Sequence, residues 1–436
     1  MEKLTSLCKR RGFIFPSSEI YGGINGFWDY GPLGAEMKRN IKEHWWRSMT
    51  QDRDDVVGID SSIVMHPRVW EASGHVESFA DPMVDCKSCK SRFRADKLDE
   101  YRAEKGPKAP PTGCPSCGGE LTDARKFNLM FKTFVGPVED SASVAFLRPE
   151  TCQSIFTNFK QVQTVSRKKV PFGIAQMGKS FRNEVTPRNF IFRSREFEQM
   201  EMEFFCSPKD DQRWFEHWVQ QRFDWYVGIG VRKEKLRLRA QTADELAHYA
   251  KAAFDVEYEF PFGWQELEGI AHRGSYDLEQ HAKFSGKDLS YFDEETKEHF
   301  LPVVIEPSAG VDRTFLTLLV DAYAEEQLEE GEERVVLRLH PKIAPVQVGV
   351  FPLSKKLAEP VLDLAKSLRK EFRTFYDEAG AIGRRYRRQD EVGTPFCVTY
   401  DFESQNDNAV TVRERDSMKQ ERIPIATLAE FLRGKF

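Results

Sequence analysis

The sequence lacks any uninterrupted run of about 18 apolar residues, so it does not predict a helix that crosses a membrane. Its first 30 residues lack a basic stretch followed by an apolar run, so no secretory leader is predicted. Cysteine is scarce, and eight in 436 residues are too few for a fold that depends on disulfides. Together these absences predict a cytoplasmic protein.

A strong charge of one sign is also absent. The net charge is -5, which argues against indiscriminate binding to nucleic acid. The charge is uneven, because residues 335–436 contain 18 Lys and Arg against 14 Asp and Glu. This small positive excess is one way to hold a polyanion, and by itself it is weak evidence.

Hydrophobic residues make up 40% of the chain, enough to bury cores in about two to three domains. Near the N-terminus, apolar residues recur at every fourth position from Leu33 to Met49, which predicts an amphipathic helix that starts around Pro32. The β-branched segment Val56–Val64 predicts a strand that stops at Pro67, because proline cannot donate a hydrogen bond to a sheet.

The region 126–331 mixes strands and helices without strict alternation. We predict strands at Phe172–Glu184, Phe197–Phe205 and Val303–Glu306, and a helix at Gln212–Tyr226. This order favours an α+β fold, an antiparallel sheet flanked by helices, over a doubly wound sheet.

The acidic stretch Glu325–Glu333 is predicted to be a linker or an exposed helix end. Beyond it, VQVGVFPL, an amphipathic stretch at Lys355–Phe375, FCVTYDF and VTVRERD alternate strand with helix, which predicts a compact α/β unit. The predicted domains are therefore 1–83 together with 123–333, a small insertion at 84–122, and a C-terminal unit at 334–436.

Four cysteines form two CxxC pairs inside the polar insertion. The pair Cys86 and Cys89 is separated from the pair Cys114 and Cys117 by 24 residues, a spacing close to that of zinc ribbons. Four thiolates leave no open coordination position, so we favour a structural Zn2+ over free thiols or a redox pair.

Charged and aromatic side chains gather in a predicted hairpin that begins with FRNE at Phe181–Glu184. With a period of two, Arg182 and Glu184 are predicted to share one strand face. On the second strand the alternation gives an apolar face of Met200, Met202 and Phe204, opposite a face of Phe197, Gln199, Glu201 and Glu203.

Arginine pairs with phosphate oxygens, an aromatic ring stacks on adenine, and carboxylates hold an ammonium group. For any single charge, the alternative is a solvated strand face with surface ion pairs. The density of arginines around this hairpin favours phosphate binding; they are Arg182, Arg188, Arg193 and Arg195.

FRNE with the downstream RxxEF hairpin resembles motif 2 of class II aminoacyl-tRNA synthetases, and AGVDR at Ala309–Arg313 resembles motif 3. The N-terminal helix, the strand and Pro67 resemble motif 1. Further segments resemble those of the dimeric, single-chain glycyl-tRNA synthetases over nearly the whole chain: YGGINGFWDYGPLGAEMKRNI, HPRVWEASGHVESFADPMVDC, RPET, FEQMEMEFF, ELEGIAHR and EPSAGVDR. One departure is Cys152 in RPETCQ, where the resemblance implies alanine.

The resemblance implies an enzyme that forms glycyl-adenylate from glycine and ATP with Mg2+, and then transfers glycine to tRNA(Gly). Arg182 and Arg313 are implied to be catalytic. The ATP-binding residues that it implies are Arg182, Asn183, Glu184, Phe192, Arg193, Ser194, Arg195, Glu196, Phe197, Glu266, Leu267, Gly310, Val311, Asp312 and Arg313. The glycine-binding residues that it implies are Arg94, Glu150, Phe197, Glu198, Gln199, Met200, Glu201, Glu306, Pro307, Ser308, Ala309 and Gly310. The motif 1 resemblance implies a homodimer.

Spacing supports part of this set, because Glu306 and Ser308 lie two residues apart and project from one strand face. Glycine has no side chain to grip, so we expect the site to exclude larger amino acids by steric block. A sister enzyme for another amino acid would need a cavity for a side chain. A non-catalytic relative that binds nucleic acid should have lost Arg182, Glu184 or Arg313, and all three are present.

His66, His75 and His272 fall in the matching segments, but a lone histidine is more often a hydrogen-bonded scaffold residue than a catalyst. The basic run GRRYRRQ at Gly383–Gln389 predicts contact with an RNA backbone, and a solvated face is the alternative. The C-terminal unit resembles the anticodon-binding domain of the glycine, histidine, threonine and proline enzymes, which favours contact with an anticodon.

Overall fold

The structure is a computed structural model that describes residues 1–247, 249–328, 331 and 333–436. Within these residues the helices are α1 Glu2–Arg11, α2 Pro32–Trp46, α3 Pro67–Ala72, α4 His75–Ser78, α5 Leu98–Lys105, α6 Cys152–Ser166, α7 Asp211–Gly228, α8 Tyr276–Ser285, α9 Val311–Ala322, α10 Ala358–Leu368, α11 Ile382–Val392, α12 Ser404–Asp407 and α13 Leu428–Arg433.

The strands are β1 Ile14–Pro16, β2 Trp28–Tyr30, β3 Val56–Ile59, β4 Val64–Met65, β5 Ala80–Asp85, β6 Arg92–Arg94, β7 Arg125–Asn128, β8 Lys132–Phe134, β9 Val144–Leu147, β10 Phe172–Phe181, β11 Glu196–Cys206, β12 Leu236–Ala240, β13 Ala252–Phe260, β14 Gly263–Gly274, β15 Tyr291–Phe292, β16 His299–Phe300, β17 Val303–Gly310, β18 Tyr323–Gln327, β19 Glu333–Leu337, β20 Val348–Pro352, β21 Thr374–Tyr376, β22 Phe396–Tyr400, β23 Ala409–Glu414 and β24 Gln420–Pro424.

A seven-stranded sheet forms the centre of the larger unit, in the order β12-β13-β14-β17-β11-β10-β3. All its neighbouring strands are antiparallel except β3, which runs parallel to β10. One face packs Met200, Met202 and Phe204 into a large core with α2, α7 and α9. The other face packs Phe172 and Phe205 against α6 and α8. The predicted α+β fold with an antiparallel sheet flanked by helices is confirmed.

The hairpin β10–β11 differs from the prediction at one end. The first strand ends at Phe181, three residues before the predicted Glu184, so the strand face predicted for Arg182 and Glu184 was wrong. Beyond Phe181 the backbone leaves its partner strand, because the amide of Asn183 donates to the carbonyl oxygen of Leu129 instead. Both side chains therefore lie in a loop.

Helix α2 shows why a spacing of four predicts a buried face. Gly31 precedes it and Pro32 occupies its first position, where no amide donor is needed. Met37, Ile41 and Trp45 are buried, as predicted. On the same helix, the side-chain amide of Asn40 donates to the carbonyl oxygens of Ile343 and Ala344, at 3.1 Å each.

The predicted strand Val56–Val64 is two short strands in different sheets. The first, β3, lies at the edge of the central sheet, and the second, β4, pairs with β9. The polar residues between them break the ladder: the hydroxyl of Ser61 donates to the Gln176 side chain at 2.6 Å. Pro67 does not merely end the segment, since it begins α3.

The C-terminal unit is a five-stranded sheet in the order β21-β20-β22-β23-β24, with its own core. Lys355–Phe375 holds α10 and the start of β21. The stretch Glu325–Glu333 differs from its prediction, because β18 and β19 pair as an antiparallel hairpin. Residues 329, 330 and 332 lie outside the described residues. Among the described helices, none is long and apolar enough to cross a membrane.

Gly34 provides a test of how tightly α2 is packed. Within a helix, Gly→Ala normally stabilises by about 1 kcal/mol. A Cβ at Gly34 would overlap the carbonyl oxygen of Phe13, which is backbone and cannot move aside cheaply. We expect Gly34→Ala to lower the free energy of unfolding by about 1–3 kcal/mol in urea titrations, because overpacking outweighs helix propensity.

Gly383 in α11 is the matched control, because a Cβ there meets no heavy atom within 4 Å. Gly383→Ala should be neutral or stabilising by up to about 1 kcal/mol. Equal stability of Gly34→Ala and the parent protein would refute the packing of α2 described above.

Candidate active site

A cavity of about 420 Å3 opens over the ends of β11, β14 and β17 and the start of α9. Of the residues predicted to bind ATP, the following line it: Arg182, Glu184, Phe192, Arg193, Ser194, Phe197, Glu266, Leu267, Gly310, Asp312 and Arg313. Of those predicted to bind glycine, Phe197, Gln199, Glu306, Ser308, Ala309 and Gly310 line it.

Other predicted residues lie behind or beside the wall. Met200 and Val311 are in the large core, and Pro307 is also buried. Glu196 pairs with Lys179. The remaining ones outside the wall are Arg94, Glu150, Asn183, Arg195, Glu198 and Glu201.

Three of these have partners that explain their position. Arg195 donates to the carbonyl oxygens of Glu184 and Asn25, at 3.0 and 2.6 Å, so it fastens the loops that border the cavity. Arg94 pairs with Asp81 at 3.1 Å and with Asp96 at 2.7 Å. Glu198 points towards α2, where it pairs with Lys42 and, at 3.1 Å, with Lys38.

One end of the cavity is rich in arginine. The Arg182 guanidinium lies 5.4 Å from the ring centroids of both Phe79 and Phe197, and its Nε donates to the carbonyl oxygen of Pro149 at 3.0 Å. These contacts hold the cation in one place while its remaining N–H groups stay available to an anion.

A second guanidinium stands at the start of α9. Arg313 pairs with Glu266 at 3.3 Å and lies 4.5 Å from the ring centroid of Phe192. Gly310 precedes this helix, so the partial positive charge of its N-terminus lies at the cavity wall. Arg193 adds a third cation and lies 3.7 Å from Glu184. This end can bind a polyanion.

At the other end of the cavity Glu306 lines the wall, and further carboxyl groups lie behind it. Strand pairing places Ser308 opposite Glu201, and the Ser308 hydroxyl donates to that carboxylate at 2.7 Å. The amide and hydroxyl of Thr151 also donate to Glu201. Glu150 lies 3.3 Å from the imidazole of His75 and accepts a hydrogen bond from Gln153 at 3.1 Å.

Arg273 is the cation buried among these acids. It donates to Glu306 and, with two nitrogens at 2.7 and 2.8 Å, to Asp277. Its guanidinium lies 3.8 Å from the ring centroid of Tyr249, which lines the cavity. The side chains of Arg273 and Asp277 are each 2% exposed, so this forked pair is shielded from water.

The pKa values of three of these acids are raised. Burial raises the pKa of Glu201, and the charge of Glu150 raises it further. Burial and the charge of Glu306 raise the pKa of Glu203 well above its usual range. Burial also raises the pKa of Glu306, although Arg273 opposes this. A cation that entered here would stabilise the ionised forms.

Glu150 titrates differently from its neighbours. Burial works against its ionisation, but His75 and Arg273 together hold its pKa well below the usual range. It is the one acid of this group whose ionised form is already well stabilised by its neighbours.

Sequence reasoning missed Arg273, Asp277, Thr151 and Tyr249. The spacing of Arg273 and Asp277, four residues apart, is compatible with a paired helix face, but nothing in the sequence indicates that the pair is buried. His66 accepts a hydrogen bond from the amide of Arg68 and so caps α3, whereas His75 contacts the site through Glu150.

The four paired cysteines lie together next to the sheet β6-β5-β7. Sγ of Cys86 lies 3.6 Å from that of Cys117, and Sγ of Cys89 lies 3.6 Å from that of Cys114. All four sulfurs lie within 4.8 Å of one another. Sulfurs about 2.3 Å from a tetrahedral zinc are about 3.8 Å apart, so the cluster can hold such a metal.

The basic run on α11 makes mainly internal contacts. Arg385 is buried and donates to the carbonyl oxygen of Pro352 at 2.6 Å, and Arg388 pairs with Asp377 at 2.9 Å. The Tyr386 hydroxyl lies 2.7 Å from that of Thr399. Arg384 is exposed.

Comparison with known proteins adds family information to this geometry. The family described as tRNA synthetase class II core domain (G, H, P, S and T) matches residues 137–323, and the one described as anticodon binding domain matches residues 347–435. A protein named glycine--tRNA ligase from Caldanaerobacter subterraneus subsp. tengcongensis is 58% identical over 453 residues, covering 100% of this chain and 98% of that protein.

Two further relatives carry the same name. The protein from Acetivibrio thermocellus is 55% identical over 459 residues, covering 100% of this chain and 98% of that protein. The protein from Treponema denticola is 58% identical over 431 residues, covering 97% of this chain and 94% of that protein.

The ion pairs of buried Arg273 can be tested through their effect on stability. Arg273→Met leaves Glu306 and Asp277 without their cation, which should lower the free energy of unfolding by about 3–5 kcal/mol at pH 8. Losing the cation raises the pKa of Glu306 in the folded protein, so the deficit is present at high pH and shrinks as Glu306 becomes protonated on acidification. Denaturant titrations at pH 8 and pH 5.5 measure both effects.

Lys169→Met is the matched control, because it removes a cation from an ion pair with Glu295 in which both side chains are exposed. It should leave the free energy of unfolding nearly unchanged at either pH, because solvent screens an exposed ion pair. A pH-independent loss in Arg273→Met would mean that packing, not charge, is what Arg273 contributes.

Proposed function

This chain belongs to the family of glycine–tRNA ligases, and we propose that its cavity binds ATP at the arginine-rich end and glycine at the carboxyl-rich end. The chain activates glycine with ATP to glycyl-adenylate and transfers glycine to the 3′ end of tRNA(Gly). The observation that carries the assignment of the two ends is that one cavity is lined by three guanidinium groups and by Glu306 and Ser308, which connect it to the acids behind the wall.

We place the ammonium group of glycine among Glu150, Glu201 and Glu306, beside the Ser308 hydroxyl. Buried carboxylates are costly unless a cation accompanies them, and Arg273 is engaged with Glu306 and Asp277. An ammonium supplies the charge that this end lacks. Its three donors match the oxygen atoms around it.

The same contacts account for selection of the smallest amino acid. Tyr249 and the side chain of Glu306 both border the carboxyl-rich end. A larger amino acid would need space next to its Cα, which these side chains occupy in this proposal. Selection is then steric: the charge set holds any α-ammonium, and the walls reject a Cβ.

At the other end, Phe197 stacks on adenine and Glu184 accepts from its amino group. Arg182 contacts the α-phosphate and the glycine carboxylate, while Arg193 and Arg313 hold the γ-phosphate. Support comes from the positions of all five side chains on the cavity wall. Glu266 would hold the Mg2+ that accompanies ATP, and this ion would neutralise phosphate charge.

The reaction is in-line attack of the glycine carboxylate on the α-phosphorus, with pyrophosphate leaving. The nucleophile is already ionised, so this chain needs no general base. Its residues align the two substrates and stabilise the negative charge on the phosphate oxygens through Arg182 and the other guanidinium groups. The adenylate carbonyl is then attacked by the terminal ribose hydroxyl of tRNA, and AMP leaves.

We assign the remaining units by position. The C-terminal unit, 334–436, contacts the anticodon, with exposed Arg384 at the start of α11 as one contact to RNA backbone. A second copy of the chain packs on α2 and β3, where Lys38, Trp46, Ile59 and Met177 border a groove. The larger unit is 1–83 with 123–333.

The eight cysteines form no disulfide, which supports a reducing, cytoplasmic location.

The insertion 84–122 holds one structural Zn2+ through Cys86, Cys89, Cys114 and Cys117. Besides the sulfur spacing, backbone amides support this assignment. Those of Cys89 and Ser116 donate to the sulfurs of Cys86 and Cys114, at 3.4 and 3.3 Å, which stabilises thiolates. When bound, the metal links two loops that have little core of their own.

Exchange of labelled pyrophosphate into ATP tests the assignment of the cavity. We expect exchange to depend on glycine, with alanine and serine inactive because of steric block. Arg182→Ala should lower kcat/KM for exchange by about 100-fold or more, since one positioned donor to the developing charge is lost.

Arg213→Ala is the matched control, because that arginine is exposed on α7, away from the cavity. It should retain normal exchange. Exchange supported by another amino acid but not by glycine would overturn the glycine assignment, and near-normal exchange by Arg182→Ala would overturn the placement of ATP.

Zinc analysis tests the insertion. The purified chain should retain about one tightly held Zn2+, and Cys114→Ser should lose it because three sulfurs bind more weakly than four. Limited proteolysis should then cleave within residues 84–122. Cys397→Ala, a buried cysteine of β22, should keep both the metal and the resistance to proteolysis. Equal zinc content in Cys114→Ser would contradict the proposed site.

A further inference from the structure

A second group of metal-binding atoms lies beneath the carboxyl-rich end of the cavity. Sγ of Cys152 and carboxylate oxygens of Glu201 and Glu203 lie within 4.8 Å of one another, and all three residues are buried. None of the four cysteines of the insertion 84–122 belongs to this group. Cys152 begins α6, whereas the two acids lie two residues apart on one face of β11.

Glu203 is the observation that points to a ligand. It is 0% exposed, and neither of its carboxylate oxygens has a hydrogen-bond partner among the described residues. Glu201, by contrast, accepts from Thr151 and Ser308. A buried carboxyl group without partners costs free energy, which a proton or a bound cation can remove.

The chemistry of the three ligands selects among cations. Mg2+ and Ca2+ take oxygen ligands, so a thiol among two carboxylates is a poor site for either. Zn2+ and Co2+ accept both thiolate sulfur and carboxylate oxygen, and three protein ligands leave a further position open. Sγ of Cys152 now donates to Glu150 at 2.9 Å, so it also lies close to a fourth carboxyl group.

We infer that Cys152, Glu201 and Glu203 form a site for one divalent cation of the zinc class, and that this cation excludes the ammonium group of glycine. The metal–sulfur bond replaces the S–H bond of Cys152, and the thiol proton, with any proton on Glu203, passes to the buffer. The exclusion of glycine rests on the proposed function, because both cations would need Glu201. Free Zn2+ would then inhibit glycine activation through a site separate from the structural module.

Cobalt absorption tests the metal site without any reference to catalysis. Co2+ is titrated into the full chain and into Cys152→Ala, and the absorption band that arises from thiolate bonded to cobalt is compared. Metal exchange into the four-cysteine module contributes equally to both proteins, so the difference reports Cys152 alone. We expect about one additional equivalent of Co2+ in the parent chain.

Two further variants make the comparison specific. Glu203→Gln keeps the size of the side chain but weakens the site, so it should also lose the difference signal. Cys206→Ala removes another buried cysteine of β11 that lies outside the group, and it should behave like the parent chain. Mg2+ at millimolar concentration should not displace Co2+.

Inhibition of pyrophosphate exchange tests the exclusion of glycine. With free Zn2+ buffered at about ten times its Kd, the apparent KM for glycine should rise by about tenfold while kcat stays unchanged, as competition requires. Cys152→Ala should retain exchange and lose this response.

If no cobalt signal depends on Cys152, the metal site is overturned, whatever the result of pyrophosphate exchange. A proton on Glu203 would then be what neutralises its carboxylate. A signal that glycine does not displace overturns the exclusion of glycine and the placement of its ammonium at Glu201, but not the metal site. Glycine-independent exchange, with the cobalt signal intact, would overturn the proposed function and with it the exclusion of glycine, but not the metal site.

Discussion

Charge balance inside a water-excluded site is the constraint on which the rest of this structure depends. Glu201, Glu203 and Glu306 are buried and Glu150 is partly buried, and the Arg273 guanidinium acts on all four. Such a cluster is stable only if hydrogen bonds and counter-charges are supplied with fixed geometry. Strand β14 supplies Arg273 and β17 supplies the Ser308 hydroxyl, so neither strand can shift independently without leaving an acid uncompensated.

The central sheet separates the buried acids, which cost free energy, from the large apolar core, which stabilises the fold. Along β11, alternate residues point to opposite faces, so Met200 and Met202 enter a large apolar core while Glu201 and Glu203 lie on the opposite face, behind the cavity wall. Slipping the register by one residue would bury carboxylates in that core. The pairing of β11 with β17 puts Ser308 beside Glu201. The apolar face of β11 fixes this register as much as the hydrogen bond from Ser308 to Glu201 does.

Periodicity predicted the parts of the fold that depend on local pattern. The helices α2 and α7, the strand β11 and the antiparallel character of the sheet follow from spacing of apolar residues and from element order. The break after Ile59 and the early end of β10 did not, because both depend on distant partners: Gln176 for the first, Leu129 for the second. Likewise, Arg273 became recognisable only once folding had placed it among acids that are distant in sequence.

Contacts also run from the N-terminal helix to the cavity. On α2, Lys38 pairs with Asp312 at 3.0 Å and with Glu198 at 3.1 Å, and the Tyr30 hydroxyl donates to the same Asp312. The other oxygen of Asp312 accepts the backbone amide of Glu198 at 2.7 Å. This one aspartate thus ties α2 and β11 to the first turn of α9.

The position of Asp312 gives those contacts their importance, because the next residue is Arg313. Asp312 and Arg313 are neighbours in the first turn of α9, so holding Asp312 also limits where the Arg313 guanidinium can lie. Phe197 likewise precedes Glu198, whose side chain and amide are both engaged. The Phe197 ring and the Arg313 guanidinium, both on the cavity wall, are therefore held by one ion-pair network of Lys38, Glu198 and Asp312, next to the groove proposed for a second subunit. Asp312 lines the cavity, but Lys38 and Glu198, which hold it, do not, so part of what fixes the site lies outside its wall.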